Sequence, residues 1–152
     1  MSQHKATIRW SSSEDADFAK GRYSREHVWV FDGGASVLAS ASPSVVRAPY
    51  SNPAAVDPEE AFIASIASCH MLTFLYLASR RGFEVVQYND DAIGEMTKNE
   101  AGVPWVSGVM LSPRIEFRGD RVPTPDELHQ LHEDAHHECF ISNSVKTKIS
   151  LP

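Results

Sequence analysis

From Ala61 to Ser79 the chain carries no Asp, Glu, Lys or Arg, and no other feature limits its fold so strongly. The boundaries of this run are those of a helix. Asp57 can cap the start, Pro58 suits the first helical position, and Glu60 stands three residues after the cap to complete a capping box. At the other end Arg80 and Arg81 complement the helix dipole, and Gly82 is the residue expected just past the last turn. Pro58 to Arg81 would therefore form a helix about 36 Å long. A helix that is apolar all round must be covered all round. A chain of 152 residues, 42% of them hydrophobic, makes one domain spanning residues 1–152 and has only one sheet's worth of strands for that task. Ala61, Ala64, Ser65, Ala67 and Ser68 are small and recur at three- and four-residue spacing, which lets a second helix approach closely. The expectation is an obligate homodimer with this helix near the two-fold axis. The run is also long enough to raise the question of a membrane span. Ser65, Ser68, His70 and Thr73 interrupt it and its flanks read as soluble elements, so no membrane is expected.

The flanks predict an α+β chain. Lys5 to Trp10 alternates as a strand, and Ser11 to Gly21 is polar, acidic and loop-like. His27 to Phe31 and Ala35 to Ala39 read as a hairpin around Asp32-Gly33-Gly34. Ser40 to Ala55, rich in proline and serine, predicts an irregular crossing segment that delivers the chain to the helix. Beyond Gly82, Val85 to Lys98 and Trp105 to Arg118 predict two long strands joined around Asn99-Glu100-Ala101-Gly102. Thr124-Pro125-Asp126-Glu127 opens a second helix whose apolar stripe is Leu128, Leu131 and Ala135. Cys139 to Ser144 predicts a break, and Val145 to Leu151 a closing strand.

Charge and cysteine usage narrow the function. A net charge of −6, with no Lys/Arg cluster longer than Arg80-Arg81, argues against a nucleic-acid partner. Met1 to Arg9 is polar and lacks the apolar stretch of a secretory signal, so a reducing cytoplasm is expected. Two cysteines there are no disulfide framework. They can be a redox pair instead: a thiolate attacks a peroxide oxygen, becomes a sulfenic acid, and condenses with a second thiol before overoxidation. Cys69, in the middle of the apolar run, and Cys139, after the His-rich stretch His129 to Glu138, are the pair available. His70 follows Cys69 but points about 100° round the helix, which makes it a poor base for that thiol.

Asp57-Pro58-Glu59-Glu60, then Ala67-Ser68-Cys69 with Cys69 ten residues beyond Glu59, then Cys139-Phe140-Ile141-Ser142 and a final strand, together resemble the OsmC/Ohr family of thiol-dependent hydroperoxide reductases. The resemblance covers Val56 to the C-terminus. It implies an intertwined homodimer in which long central helices are wrapped by strands of both chains, with two sites at the interface. It further implies that Cys69 is the peroxidatic cysteine and that Cys139 resolves it as an intramolecular disulfide. A carboxylate and an arginine are implied beside the thiol, and Glu59 matches the carboxylate. About 15 Å of helix separates Glu59 from Cys69, so Glu59 is expected to serve the partner subunit's thiol by holding the arginine. Arg25 is the first candidate for that arginine, ahead of Arg22 and Arg47, with a surface ion pair to Glu26 as its plainer role. Two positions depart from the family pattern: Phe140 stands where a proline often follows the second cysteine, and His70 where an aromatic often follows the first.

The activity so implied is reduction of organic hydroperoxides, and of hydrogen peroxide to a lesser degree, with an external dithiol as reductant and no metal or organic cofactor. Phe62, Ile66 and Phe74 are the expected substrate lining, and His70 either joins them or is a core histidine. Two other readings stay open. His129, His132 and His136 share one helical face near His137 and Cys139, a spacing that permits zinc, although a solvated polar face is the simpler account. A noncatalytic dimeric ligand-binding protein would keep the same fold without turnover. The titration of Cys69 separates that from catalysis, which calls for a thiol well below the usual value of about 8.5.

Overall fold

The computed structural model describes residues 1–151. The chain is mixed α+β, in the order β1 (Ala6–Arg9), β2 (His27–Phe31), β3 (Ser36–Ala39), α1 (Pro58–Arg80), β4 (Glu84–Asp90), β5 (Ile93–Lys98), β6 (Pro104–Met110), β7 (Pro113–Arg118), α2 (Pro125–Glu138) and β8 (Lys148–Ser150). It divides into two compact units, Met1–Ala61 and the chain from Phe62 onward.

In the first unit β1, β2 and β3 form an antiparallel meander, with Ala6 opposite Phe31 and His27 opposite Ala39. The Asp32–Gly34 turn joins β2 to β3, and Gly34 takes φ 86°, a conformation that a side chain would disfavour. The segment after β3 is irregular, as its prolines require, but it is anchored. The Ser40 amide donates to the Val56 carbonyl at 3.0 Å, and the buried Ser40 hydroxyl accepts the Asn52 amide at 3.0 Å. The acidic stretch Ser11–Gly21 is less loop-like than its composition suggests. It holds a 3-10 turn, Phe18–Lys20, closed by Gly21, and Phe18 stacks on Tyr23 with ring centroids 4.4 Å apart. The α1 capping box forms as expected: the Glu60 amide donates to Asp57 at 2.8 Å, and the Asp57 amide donates to Glu60 at 3.1 Å.

In the second unit the expected long hairpin is present but broken in both arms. Val85–Lys98 is split between β4 and β5, and Trp105–Arg118 between β6 and β7. β4 pairs with β7, while β5 and β6 pair in a separate sheet that β8 joins in parallel. The break has a physical cause. Pro113 has no amide to give a continuous ladder and restricts Ser112 before it, and the Ser112 amide instead donates to Asp90 at 2.7 Å. The two halves pack on different stretches of α1. β4 and β7 share a core with Phe74, Leu77, Ala78, Leu131 and Ala135. Val109 and Leu111 pack with Ile66, joined by Ile149 of β8.

α2 carries the predicted Thr124–Glu127 capping box. By length and composition alone α1 could cross a bilayer, but here its Ile66, His70, Phe74, Leu77 and Ala78 are buried by the second unit. One stripe is left uncovered: Ala64, Ser65 and Ser68 are exposed, and so are Leu72 (61%) and Tyr76 (59%). A single chain thus leaves the apolar helix bare along the side where its small residues run.

Candidate functional site

Two free thiols are neighbours in the second unit. Cys69 lies half-buried on α1, and Cys139 is the fully buried residue at which α2 stops, its backbone already extended at φ −70°, ψ 119°. The helix ends there because the next turn satisfies its carbonyls from side chains. The Asn143 side-chain amide donates to the carbonyls of His137 (2.8 Å) and Cys139 (2.9 Å), and the Ser142 amide donates to Cys139 Sγ at 3.4 Å. Held in this way, the Cys139 thiol is close enough to Cys69 to influence its titration.

The electrostatics of Cys69 run in both directions. Burial is the largest influence and pushes the thiol above its ordinary value, and Cys139 pushes the same way. The amides of Ile141 and Phe140 oppose this, with Ile141 the stronger of the two. The thiolate activation expected from the sequence is therefore not supplied by these neighbours. What the arrangement can do is pair two thiols that the fold makes neighbours, as a disulfide requires.

The residues expected to line a substrate pocket take other places. Ile66 and Phe74 are fully buried in the two hydrophobic clusters of the second unit, and Phe62 is half-buried at the edge of one. His70 has no exposed surface. Its Nε2 lies 3.0 Å from Nδ1 of His132, whose ring is parallel to within 5°, and Phe74 packs on His132 with centroids 4.6 Å apart. Burial, followed by the neighbouring imidazoles, lowers both histidines to about 4, so the pair is neutral at physiological pH. The polar face of α2 is thus not wholly solvated as expected, since His132 is only 3% exposed. The signal was in the sequence: residue 132 completes an i, i+3, i+4, i+7 stripe with Leu128, Leu131 and Ala135. As for the zinc spacing, His132 is engaged by His70 while His129 and His137 are exposed. Among the described residues no three His, Cys, Asp or Glu side chains gather as a metal-binding group.

In the first unit Arg25 is half-buried, whereas Arg22 and Arg47 are exposed. Arg25 Nη1 donates to the carbonyls of Gly21 (2.8 Å) and Tyr23 (2.6 Å), and the guanidinium lies over the Tyr23 ring at 3.7 Å. It makes no ion pair with Glu26, which instead accepts from the Asn52 side chain. Glu59 is half-buried beside the Asp57–Glu60 cap, which does not use it, and it forms no ion pair with Arg25 within this unit among the described residues. Arg25 faces an apolar cavity of about 470 Å³ bounded also by Ile8, Trp10, Phe18, Tyr23 and Pro58, the neighbour of Glu59. Sequence reasoning missed this cavity. Its trace was the aromatic Phe18 set in a polar stretch between Trp10 and Tyr23.

A mixed α+β fold with a long apolar helix, a kinked hairpin and two neighbouring free thiols defines a protein of the OsmC-like type. The chain belongs to that family: the family model for OsmC-like proteins matches residues 51–151. Among solved structures, an OsmC-like protein of unknown function from Vibrio cholerae is 45% identical, with a TM-score of 0.97 over 100% of this chain and 99% of that one. An organic hydroperoxide resistance protein from Elizabethkingia anophelis is 18% identical, with a TM-score of 0.72 over 99% of this chain and 93% of that one. The organic hydroperoxide resistance protein OhrB of Bacillus subtilis is 20% identical, with a TM-score of 0.68 over 99% and 98% of the two chains. These last two are likenesses of fold. No curated protein matches the chain.

Proposed function

We propose that this protein is a thiol-dependent peroxidase that reduces organic hydroperoxides to alcohols, with Cys69 as the peroxidatic and Cys139 as the resolving cysteine. The observation that supports it best is the nearness in the fold of two free thiols far apart in sequence, one half-buried and one enclosed. In the first step the Cys69 thiolate attacks the distal oxygen of ROOH. The O–O bond breaks, Cys69 becomes a sulfenic acid, and RO⁻ takes a proton to leave as ROH. In the second the Cys139 sulfur displaces water from the sulfenic acid, forming the Cys69–Cys139 disulfide. An external dithiol then returns both cysteines to thiols.

The active form in this proposal is a cytoplasmic homodimer whose exposed α1 stripe, Ser65, Ser68, Leu72 and Tyr76, meets its copy. Arg25 and Glu59 of one subunit would then act on the thiol of the other, stabilising its thiolate and the charge that develops on the leaving oxygen. The aromatic cavity beside Arg25 is the apolar surface offered to the R group, in place of Ile66, His70 and Phe74. The test is thiol counting and intact mass of the reduced protein before and after one equivalent of cumene hydroperoxide, for wild type and Cys69→Ser. Loss of both thiols with a mass decrease of about 2 Da, abolished by the substitution, supports the reading. Survival of both thiols refutes it and favours a noncatalytic ligand-binding role for the cavity.

A further inference from the structure

The proposed chemistry leaves the buried histidine pair without a task. His70 directly follows Cys69 on α1, and His132 precedes Cys139 on α2 by about two helical turns. Along α1 two groups of contacts lie farther from Cys69: the Arg81–Asp134 ion pair, and the packing of Phe74, Leu77 and Ala78 with Leu131 and Ala135. The 3.0 Å bond from His70 Nε2 to His132 Nδ1 is, along α1, the polar link to α2 nearest Cys69, among the described residues. Apolar packing tolerates sliding of one helix on another by fractions of an ångström. A buried hydrogen bond is directional, and in a site closed to water its loss is not replaced by solvent.

We infer that His70 and His132 are positioning residues for the thiol pair: their bond fixes the end of α2 on α1 so that Cys139 is delivered to Cys69. The inference rests on the thiol-pair reading of the site, but not on a peroxide being the oxidant. The pair acts as a preorganising device that raises the effective concentration of one thiol at the other. Its removal weakens disulfide formation with any oxidant, because the sulfurs must then be brought together from a wider range of arrangements.

A glutathione redox titration tests this directly. Cys69 and Cys139 pass two electrons and two protons to glutathione disulfide, giving the protein disulfide and two molecules of glutathione. The oxidised fraction is read by acid quench, alkylation and mass. His132→Phe keeps a ring in the core and removes the bond; its equilibrium constant for disulfide formation is expected to fall about tenfold, a potential about 30 mV less reducing. His132→Asn, which returns a polar atom near the position of Nδ1, is expected to recover most of that loss. A purely structural role would lower the melting temperature of both redox forms alike and leave the potential where it was. A folded His132→Phe with the wild-type potential therefore overturns the inference, and if that variant does not fold, His70→Gln is read by the same criterion. Wild type that forms the disulfide with glutathione yet ignores hydroperoxide sinks the peroxidase reading while the positioning role stands. Wild type that forms no disulfide in any glutathione buffer sinks both.

Discussion

Acid should destabilise the reduced protein through its buried histidines. His70 and His132 drop from an ordinary 6.5 to about 4 in the fold. A base whose folded pKa is depressed binds fewer protons folded than unfolded between those two values. Its contribution to stability is complete above 6.5 and is lost progressively as pH falls toward 4. For one such group the loss between pH 7 and pH 5 is RT times the change in ln[(1 + 10^(6.5−pH))/(1 + 10^(4−pH))], which is about 1.8 kcal/mol. Two independent groups would give about 3.6 kcal/mol. The pair shares one hydrogen bond and relaxes when charged, so half of that, about 2 kcal/mol, is the expected effect. The assay is urea unfolding at pH 7 and pH 5, at one protein concentration and with the thiols kept reduced, for wild type and His70→Gln/His132→Gln. Other histidines titrate in both proteins and cancel in the comparison. Wild type should lose about 2 kcal/mol more than the double variant over this interval. Equal losses would mean that these two imidazoles are hydrated in solution, and the account of a dry, neutral pair would be wrong.

Gly94 has no room for a side chain, since a Cβ there would stand 2.4 Å from Ile63 Cδ1. Gly94→Ala should therefore cost about 1–3 kcal/mol in urea unfolding, and a neutral result would show that Ile63 can move aside. Thr124→Ala removes the α2 cap and should cost about 1 kcal/mol in the same assay. Leu72→Arg places a charge in the bare stripe of α1; if the proposed dimer buries that stripe, light scattering should show a shift toward monomer, and an unchanged mass would put the interface elsewhere. Arg25→Gln should lower kcat/KM for cumene hydroperoxide at least tenfold in steady-state kinetics if the arginine acts on the thiol, and an unchanged value would assign it to holding Gly21 and Tyr23.

The sequence was most legible where local signals and periodicity agreed. Asp57, Pro58 and Glu60 opened a helix that Gly82 closed, and α1 ends within one residue of the expected position. Thr124–Glu127 did the same for α2. The pairing of β2 with β3 and of the two long arms with each other was legible, but the continuity of those arms was not. Pro113 spoke for a break, but Trp105–Arg118 is apolar enough on both sides of it to read as one strand, although only β7 alternates. The thiol pair was legible as chemistry, since two cysteines leave one pairing. Its closeness in space is a tertiary fact, set by where α2 stops. The surroundings of the expected lining residues were hidden for a different reason. Phe62, Ile66, His70 and Phe74 were chosen for nearness to Cys69 along α1, but residues on one helix radiate in all directions and those four are directed into the unit's own core. The aromatic cavity beside Arg25 is assembled from segments on either side of β1 and β2, and no periodic pattern announces it.

The electrostatics of Cys69 say what a single set of neighbours cannot do. A thiol pushed above its ordinary value by burial and by Cys139 is mostly protonated at neutral pH, and the rate of attack follows the small thiolate fraction. The amides of Ile141 and Phe140 are neutral donors, and they are outweighed by burial and by Cys139. A full positive charge is of a different order. At about 4 Å and an effective dielectric constant of 20 it contributes about 4 kcal/mol, or about three pKa units. One guanidinium brought to the sulfur would thus shift Cys69 strongly toward the thiolate. Arg25 is suited to that duty because its orientation is already fixed by two carbonyls and an aromatic face, so little side-chain entropy remains to be lost when it meets an anion. The bare stripe on α1, the unused Glu59 carboxylate and the under-activated thiol are three separate deficits of one chain, and a second copy supplying Arg25 and Glu59 across that stripe would remove all of them at once.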